Sequence, residues 1–585
     1  MSETIVSNPC HTTRRLLVTG AAIAALALPT IESRAAAGDS AASSAAGAYL
    51  AANFAQDAND VAAAARYMAE ALKTDPDNPD LIGRAFVLAL AGGEMPTAVD
   101  LAARLRQSDG GQWLSATLLA ADEVRHGRFD SALAGLETIE AYGMAQFVLP
   151  LARAWIHAGL GEQAEALDAL EPMLGMEGFS SLANLHKGLI LDFGGDLDGA
   201  GQALAQARGL GNALRLVQAL GSVLERSGQV DEARALYDEY AAENPDSLLL
   251  EPLLARLDRG EAAPALIGDP VDGLAEALFH IATALNQERA SDQAMMVVRV
   301  SLHLRPDLEL AQMLLAESLV RADRNEEALA IYRAIPDRSP TAWTARLSEA
   351  NALDRLERTD EAIAVLKALA DQRTDQSGPL VRLADLLRGE SQFQNAVEAY
   401  DRAATRSPQL AEEDWTFLYR RGIALERAKA WQRAENDLVR AIDLNPDHAF
   451  LLNYLGYSWI DRGENLAEGE ELIRRAIEIE PNDGSIVDSL GWALYRTGRV
   501  EEAVTILERA VELRSEDAVI NDHLGDALWM AGRRTEARFQ WRRALRTADD
   551  EEMILTIEDK LARGMVESGI MDGPTTAGEP PAATP

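Results

Sequence analysis

The chain is almost without cysteine: Cys10 is the only one in 585 residues. It stands ahead of the first apolar run, so it cannot be the lipid-bearing cysteine that follows such a run in a lipoprotein signal. An internal disulfide and a thiolate metal site are excluded, and a mature chain that begins after Cys10 has no cysteine nucleophile. Lysine is also scarce, confined to Lys73, Lys187, Lys367, Lys429 and Lys560, while arginine supplies the rest of the positive charge. That bias reads as genome composition. Acidic residues outnumber basic ones 93 to 55, for a formal net charge of −38. Nucleic acid as a main partner is thereby excluded, and anionic lipid surfaces are disfavoured, because phosphate binding needs a basic face. A cationic partner is compatible, although acidic outer faces that keep a long molecule soluble are the plainer reading. Aromatics reach only 5% and strand formers are thinly spread, which disfavours sheet.

Chemistry-bearing motifs are missing as well. There is no HExxH, GxxxxGK[ST], G-x-S-x-G or post-strand G-x-G-x-x-G. No two of the eight histidines are spaced as a helical metal pair. Acidic runs such as Glu501-Glu502 and Asp549 to Glu552 read as solvated surface. The expectation is a protein with no cofactor, no metal and no catalysis of its own.

Alanine and leucine carry the 48% hydrophobic content, and both are strong helix formers. At the N-terminus, Arg14 and Arg15 precede an apolar run from Leu16 to Leu28, broken by Pro29, and Ala35-Ala36-Ala37 offers an A-x-A-like cleavage site. The run is shorter than the ~20 residues a membrane span needs, and no later segment qualifies. Residues 1–37 are therefore expected to be a cleavable export signal that delivers a soluble protein to the periplasm. The arginine pair followed by two leucines matches a twin-arginine signal in part. The general secretory route is the simpler one, since no cofactor site explains folding before export.

Internal periodicity dominates the remainder. Alanines recur at 64, 98, 132, 164, 200 and 233, then at 294, 328, 362, 396 and 434, with Gly469, Ala503 and Ala537 continuing the series. Seven of the thirteen intervals are 34 residues, and one, from Ala233 to Ala294, is 61. Twelve residues earlier stands a small residue in nearly every case, among them Ala52, Ala152, Gly188, Gly221, Ala282, Gly422, Gly491 and Gly525. Phe86 is the exception, and Gly456 fits after a one-residue shift. Twelve residues after the mark comes proline at 76, 245, 306, 340, 408, 446 and 481. Small residues let two helices approach closely, and proline ends the second.

These columns resemble the tetratricopeptide repeat, a 34-residue unit of two antiparallel helices. The match is best over SIVDSLGWALYRTGRVEEAVTILERAVELRSED, through Leu490-Gly491, Leu494, Ala503, Leu507 and Ala510. The resemblance implies an all-α fold, a right-handed superhelical solenoid of about fourteen helix pairs, each burying its apolar face on its neighbours. The expected organisation is a flexible lead over 38–44 and an N-terminal repeat block over 45–246. Residues 247–273 form a degenerate repeat or a joint, where Pro252, Pro264 and Pro270 forbid two long helices. A C-terminal block follows over 274–547, then a capping helix over 548–570 and a disordered tail over 571–585.

In this family the first helix of each pair lines the concave face, where partners bind. Carried onto this sequence, that pattern collects Phe450, Asn453, Tyr457, Asp488, Trp492, Tyr495, Asp522, Asp526 and Trp529 in the last three pairs. One reading is a groove whose rings grip apolar side chains while the polar groups bond a partner's backbone or basic residues. The other is that the rings pack between neighbouring first helices. The basic clamp with which the family holds C-terminal carboxylates is replaced here by Asp and aromatics. The expected function is a periplasmic scaffold for protein or peptide partners; the alternative is a non-catalytic subunit positioning an envelope enzyme, such as a glycosyltransferase or peptidoglycan hydrolase.

Overall fold

A computed structural model describes residues 45–107, 113–176, 178–208, 213–244 and 247–565. The export signal, the flexible lead, the terminal tail and the last residues of the 548–570 segment lie outside them. The described residues form helices and turns with no strand, arranged as fourteen antiparallel pairs. They fall into two compact units that meet in sequence at Arg373 and Thr374, within the block expected over 274–547.

The pairing follows from the small-residue columns. At Gly491 an added Cβ would stand 2.5 Å from the Leu507 side chain, and at Gly525 it would stand 2.4 Å from the Trp541 ring. The second-helix alanines are enclosed throughout, with one correction to the series. Ala164 is exposed, and Ala166 is the buried contact on helix Gln163–Asp168. With Ala166 and the buried Ala154 in place, the intervals on either side become 34 residues.

Each of the fourteen turns between paired helices passes through the left-handed region. Glycine holds that position in eight, including Gly228 and Gly498, whereas Asn59, Arg289, Asp323, Glu357, Ser391 and Lys429 hold it in the others. Several first helices open on an aspartate cap: Asp483 accepts from the Ser485 and Ile486 amides, and Asp517 from that of Ile520.

Arginine has a periodic task that the composition reading missed. Six residues after the mark, Arg104, Arg440, Arg475, Arg509 and Arg543 each donate to a backbone carbonyl in the segment entering their own pair. Arg475 reaches the Pro446 carbonyl at 2.7 Å, and Arg543 that of Ser515 at 2.8 Å. The guanidinium has the length and the fork of donors for this latch. Arginine is thus structural here, whatever set its abundance.

In the unit of residues 45–373 the long interval is explained by one short helix, Glu251–Asp258, which gains no partner before helix Pro270–Gln287 begins. Helices Pro270–Gln287 and Ser291–Leu304 then pack back on the first helices Pro79–Gly92, Trp113–Arg125, Ala145–Leu160 and Ser180–Phe193. Gly273 sits against the Trp155 ring, where a Cβ would come within 2.1 Å. Arg215 grips the buried Glu276 with two hydrogen bonds, of 2.5 and 2.7 Å. Trp155 Nε1 donates to His186 Nδ1 at 3.0 Å, and His186 lies 3.1 Å from His280 Nδ1. An indole N–H can only donate, so the His186 proton resides on Nε2 and is donated to His280. The His280 proton then sits on Nε2, 3.6 Å from Glu276. The inner faces of these early pairs are therefore covered by the chain itself, whereas the family pattern has first helices line a face where partners bind.

In the unit continuing from residue 374, five pairs follow in order from Gly378–Gly389 to Arg534–Thr547. The one-turn helix Gln409–Glu413 lengthens the interval between Ala396 and Ala434. Helix Glu551–Arg563 closes the unit, within the expected capping segment.

Candidate functional site

A groove of about 1110 Å³ opens along the first helices Ala449–Arg462, Gly484–Arg496 and Ala518–Met530 and the closing helix Glu551–Arg563. Of the nine positions carried over from the family pattern, Tyr457, Trp492, Asp522 and Asp526 line it. Asp488 turns instead to His523, whose Nδ1 donates to the Asp488 carboxylate at 2.9 Å. Asn453 is buried. Phe450, half-buried, lies beside His448. Trp529 packs on Trp541, with ring centres 5.3 Å apart, and a Cβ at Gly564 would meet its ring at 2.3 Å.

The rings are less available than the gripping reading requires. Trp492 is stacked against two rings, His523 at 4.1 Å and Tyr495 at 5.0 Å between ring centres. Only 5% of it is exposed. Its edge borders the groove beside Asp461, and its Nε1–H makes no hydrogen bond of normal geometry. The aromatic cluster is thus mainly packing between helices, and the groove wall is mainly polar.

The feature that sequence reasoning missed is Lys560. Its Nζ donates to Asp522 at 2.7 Å and to Asp526 at 2.8 Å, while Trp541 Nε1 donates to the second oxygen of Asp526 at 2.9 Å. All five lysines are described, and Lys560 alone is buried. The scarcity of lysine was the available signal, but nothing in the sequence indicates which turn of a charged helix faces inward. With this triad counted, the groove is lined by eight carboxylates and three permanent cations, Asp461, Glu516, Asp517, Asp549, Asp550 and Glu552 completing the acidic set.

Burial, with Asp522 alongside, pushes Asp526 up to about 6 in spite of Lys560. Burial also opposes charge on His523, but the Asp488 carboxylate outweighs it and raises the imidazole above its ordinary value. Burial raises Asp461 too. Such a wall can hold ammonium or guanidinium groups and repels carboxylates. Among the described residues no three metal-ligating side chains converge, and no helix is long and apolar enough to cross a membrane.

Comparison with known proteins adds the family. Tetratricopeptide repeat models match residues 311–378, 381–448 and 489–552, and also 214–257. A TPR repeat-containing protein of Pseudomonas aeruginosa is 33% identical over 135 residues, covering 22% of this chain and 22% of its own. The chain thus matches about a fifth of that relative's length. Among solved structures, a tetratricopeptide repeat protein from Parabacteroides merdae is 16% identical with a TM-score of 0.34, covering 50% of this chain and 98% of its own. A chain of the APC/C hetero-tetramer Cut9-Hcn1 is 15% identical with a TM-score of 0.35, covering 88% and 96%. Likenesses this distant say nothing of partners.

Proposed function

We propose, from the premise that this chain is a tetratricopeptide-repeat protein, that it is an exported scaffold whose groove over residues 449–563 holds a basic segment of a partner protein. The observation that carries this reading is the groove wall, where eight carboxylates stand against three permanent cations, Lys560 paired with Asp522 and Asp526, and Arg514 with Asp517. A basic segment laid there gains charge-assisted hydrogen bonds from several side chains at once. An acidic tail would meet repulsion along the whole length. The periplasmic address rests on the arginine pair, apolar run and alanine cleavage site within residues 1–37.

The test uses Glu516 and Glu552, which are exposed on the rim and cap no helix. Glu516→Lys with Glu552→Lys should leave the melting curve in place. The same change should weaken binding of a fluorescent oligo-arginine peptide by about tenfold, equivalent to ~1.4 kcal/mol, and binding should fall as salt rises. Unchanged affinity in the double variant rejects the groove. Export is checked separately by N-terminal sequencing of the periplasmic fraction, which should begin at Gly38; a cytoplasmic product that retains Met1 overturns it.

A further inference from the structure

We propose that Asp522 and Asp526 form the receptor for a basic side chain of the partner segment, and that Lys560 of the closing helix occupies this receptor in cis until the segment displaces it. The inference rests on the groove reading above and goes beyond it by naming the anchor point and the device that guards it.

Three observations on the receptor converge. An ammonium group is already seated there, with one hydrogen bond to each carboxylate at 2.7 and 2.8 Å. The site can therefore bind this chemistry in this fold, which a bare cluster of acids would not establish. Two carboxylates face a single cation, so the occupied site keeps excess negative charge. Asp522 also keeps its buried Oδ1 without a hydrogen-bond partner, an acceptor for the second donor that a guanidinium would bring.

The helix that carries Lys560 docks on the core along one side only, with Met553 and Leu561 half-buried there. Ile557 is its one fully buried apolar side chain, and Met565 follows just beyond its end. Leu555 is 59% exposed, and Glu551, Glu552 and Glu558 face solvent. A helix of thirteen residues does not persist alone in water, so its order depends on this docking. Its acidic start, with Asp549, Asp550 and Glu552, stands on the groove rim, where an incoming basic segment meets it first. An approaching cation therefore weakens the grip of the helix and then competes for the two carboxylates that hold its lysine.

The test compares the mature full-length chain with Lys560→Gln, and Lys560→Gln with Lys560→Gln carrying Asp522→Asn and Asp526→Asn. The probe is a fluorescent oligo-arginine peptide followed by anisotropy. Lys560→Gln should bind about tenfold more tightly than the parent, and the two Asn substitutions should abolish that gain. In the parent chain, saturation with peptide should reduce hydrogen-exchange protection over residues 551–563. If the peptide binds the parent and Lys560→Gln equally, or if protection over 551–563 is unchanged or rises on binding, occupancy by Lys560 is overturned while the groove stands. If neither protein binds the peptide, the groove reading itself fails and this inference falls with it. The exchange measurement uses the unaltered chain, so a variant that loosens the closing helix does not obscure the outcome.

Discussion

Gly456 and Gly469 face each other across one hairpin, each with the other's carbonyl oxygen where a side chain would begin, at 2.7 and 2.9 Å. Backbone cannot retreat as a flexible side chain can. Gly456→Ala should therefore lower stability by about 1–3 kcal/mol through overpacking, read as an earlier midpoint in urea; an unchanged midpoint means that the two helices part freely. The tryptophans are judged by the same kind of contact. Trp492 and Trp529 are 5% and 9% exposed within one continuous core. Trp492→Ala with Trp529→Ala should then cost about 3–5 kcal/mol at each site, visible as a large drop in melting temperature. A double variant that melts like the parent would return these rings to the role of surface anchors.

At the level of the helix pair, turn chemistry and latches decide stability. Arg289 and Lys429 adopt φ of 62° and 63° in turns where other pairs use glycine. Left-handed backbone costs a residue with a Cβ about 1–2 kcal/mol, and glycine returns part of that through its looser unfolded chain. Arg289→Gly and Lys429→Gly should each stabilise the chain by roughly 0.5–1 kcal/mol, and thermal melting that moves down instead would show that these side chains have an unseen task. The pairs themselves were legible from sequence because the steric demand for a small residue recurs at one place in every repeat. The register slipped once, at Ala164, because that helix offers a second alanine two residues on and only packing distinguishes them. The arginine column stayed hidden because its partner is a backbone carbonyl, which has no letter in the sequence.

Across the whole molecule, acid should act on the two units with opposite sign. In residues 45–373, burial lowers His280 to about 4, with Glu276 opposing the fall and Arg215 adding to it, and Glu276 is held at about 2, where Arg215 overcomes its burial. A histidine kept neutral in the fold contributes stability above its unfolded value near 6.5. That contribution is lost as pH falls from ~6.5 to 4, about 3 kcal/mol in all. Glu276 adds a further loss below its unfolded range. In residues 374–565 the shifts of His523 and Asp526 run the other way, against that of the half-buried His448, which burial lowers. His523, raised, contributes stability that is complete below about 6.5 and fades as pH rises through its folded value. Asp526, raised to about 6, makes the fold gain as pH falls from there toward the ordinary aspartate range. Limited proteolysis with mass-spectrometric mapping, at pH 7 and pH 5, should find acid-induced cleavage within residues 45–373 first. Earlier cleavage within residues 374–565 would reverse this assignment.

The period, the fourteen hairpins and the small-residue contacts followed from the sequence alone, because each is a demand between neighbouring segments that repeats every turn of the pattern. Which inner faces stay open did not follow. Helix Pro270–Gln287 covers first helices well over a hundred residues earlier in the chain, and Lys560 reaches back 38 residues to Asp522. Such contacts join non-equivalent positions once each and leave no periodic trace. They are set by where the stacked pairs bring the chain in space, and only tertiary structure supplies that.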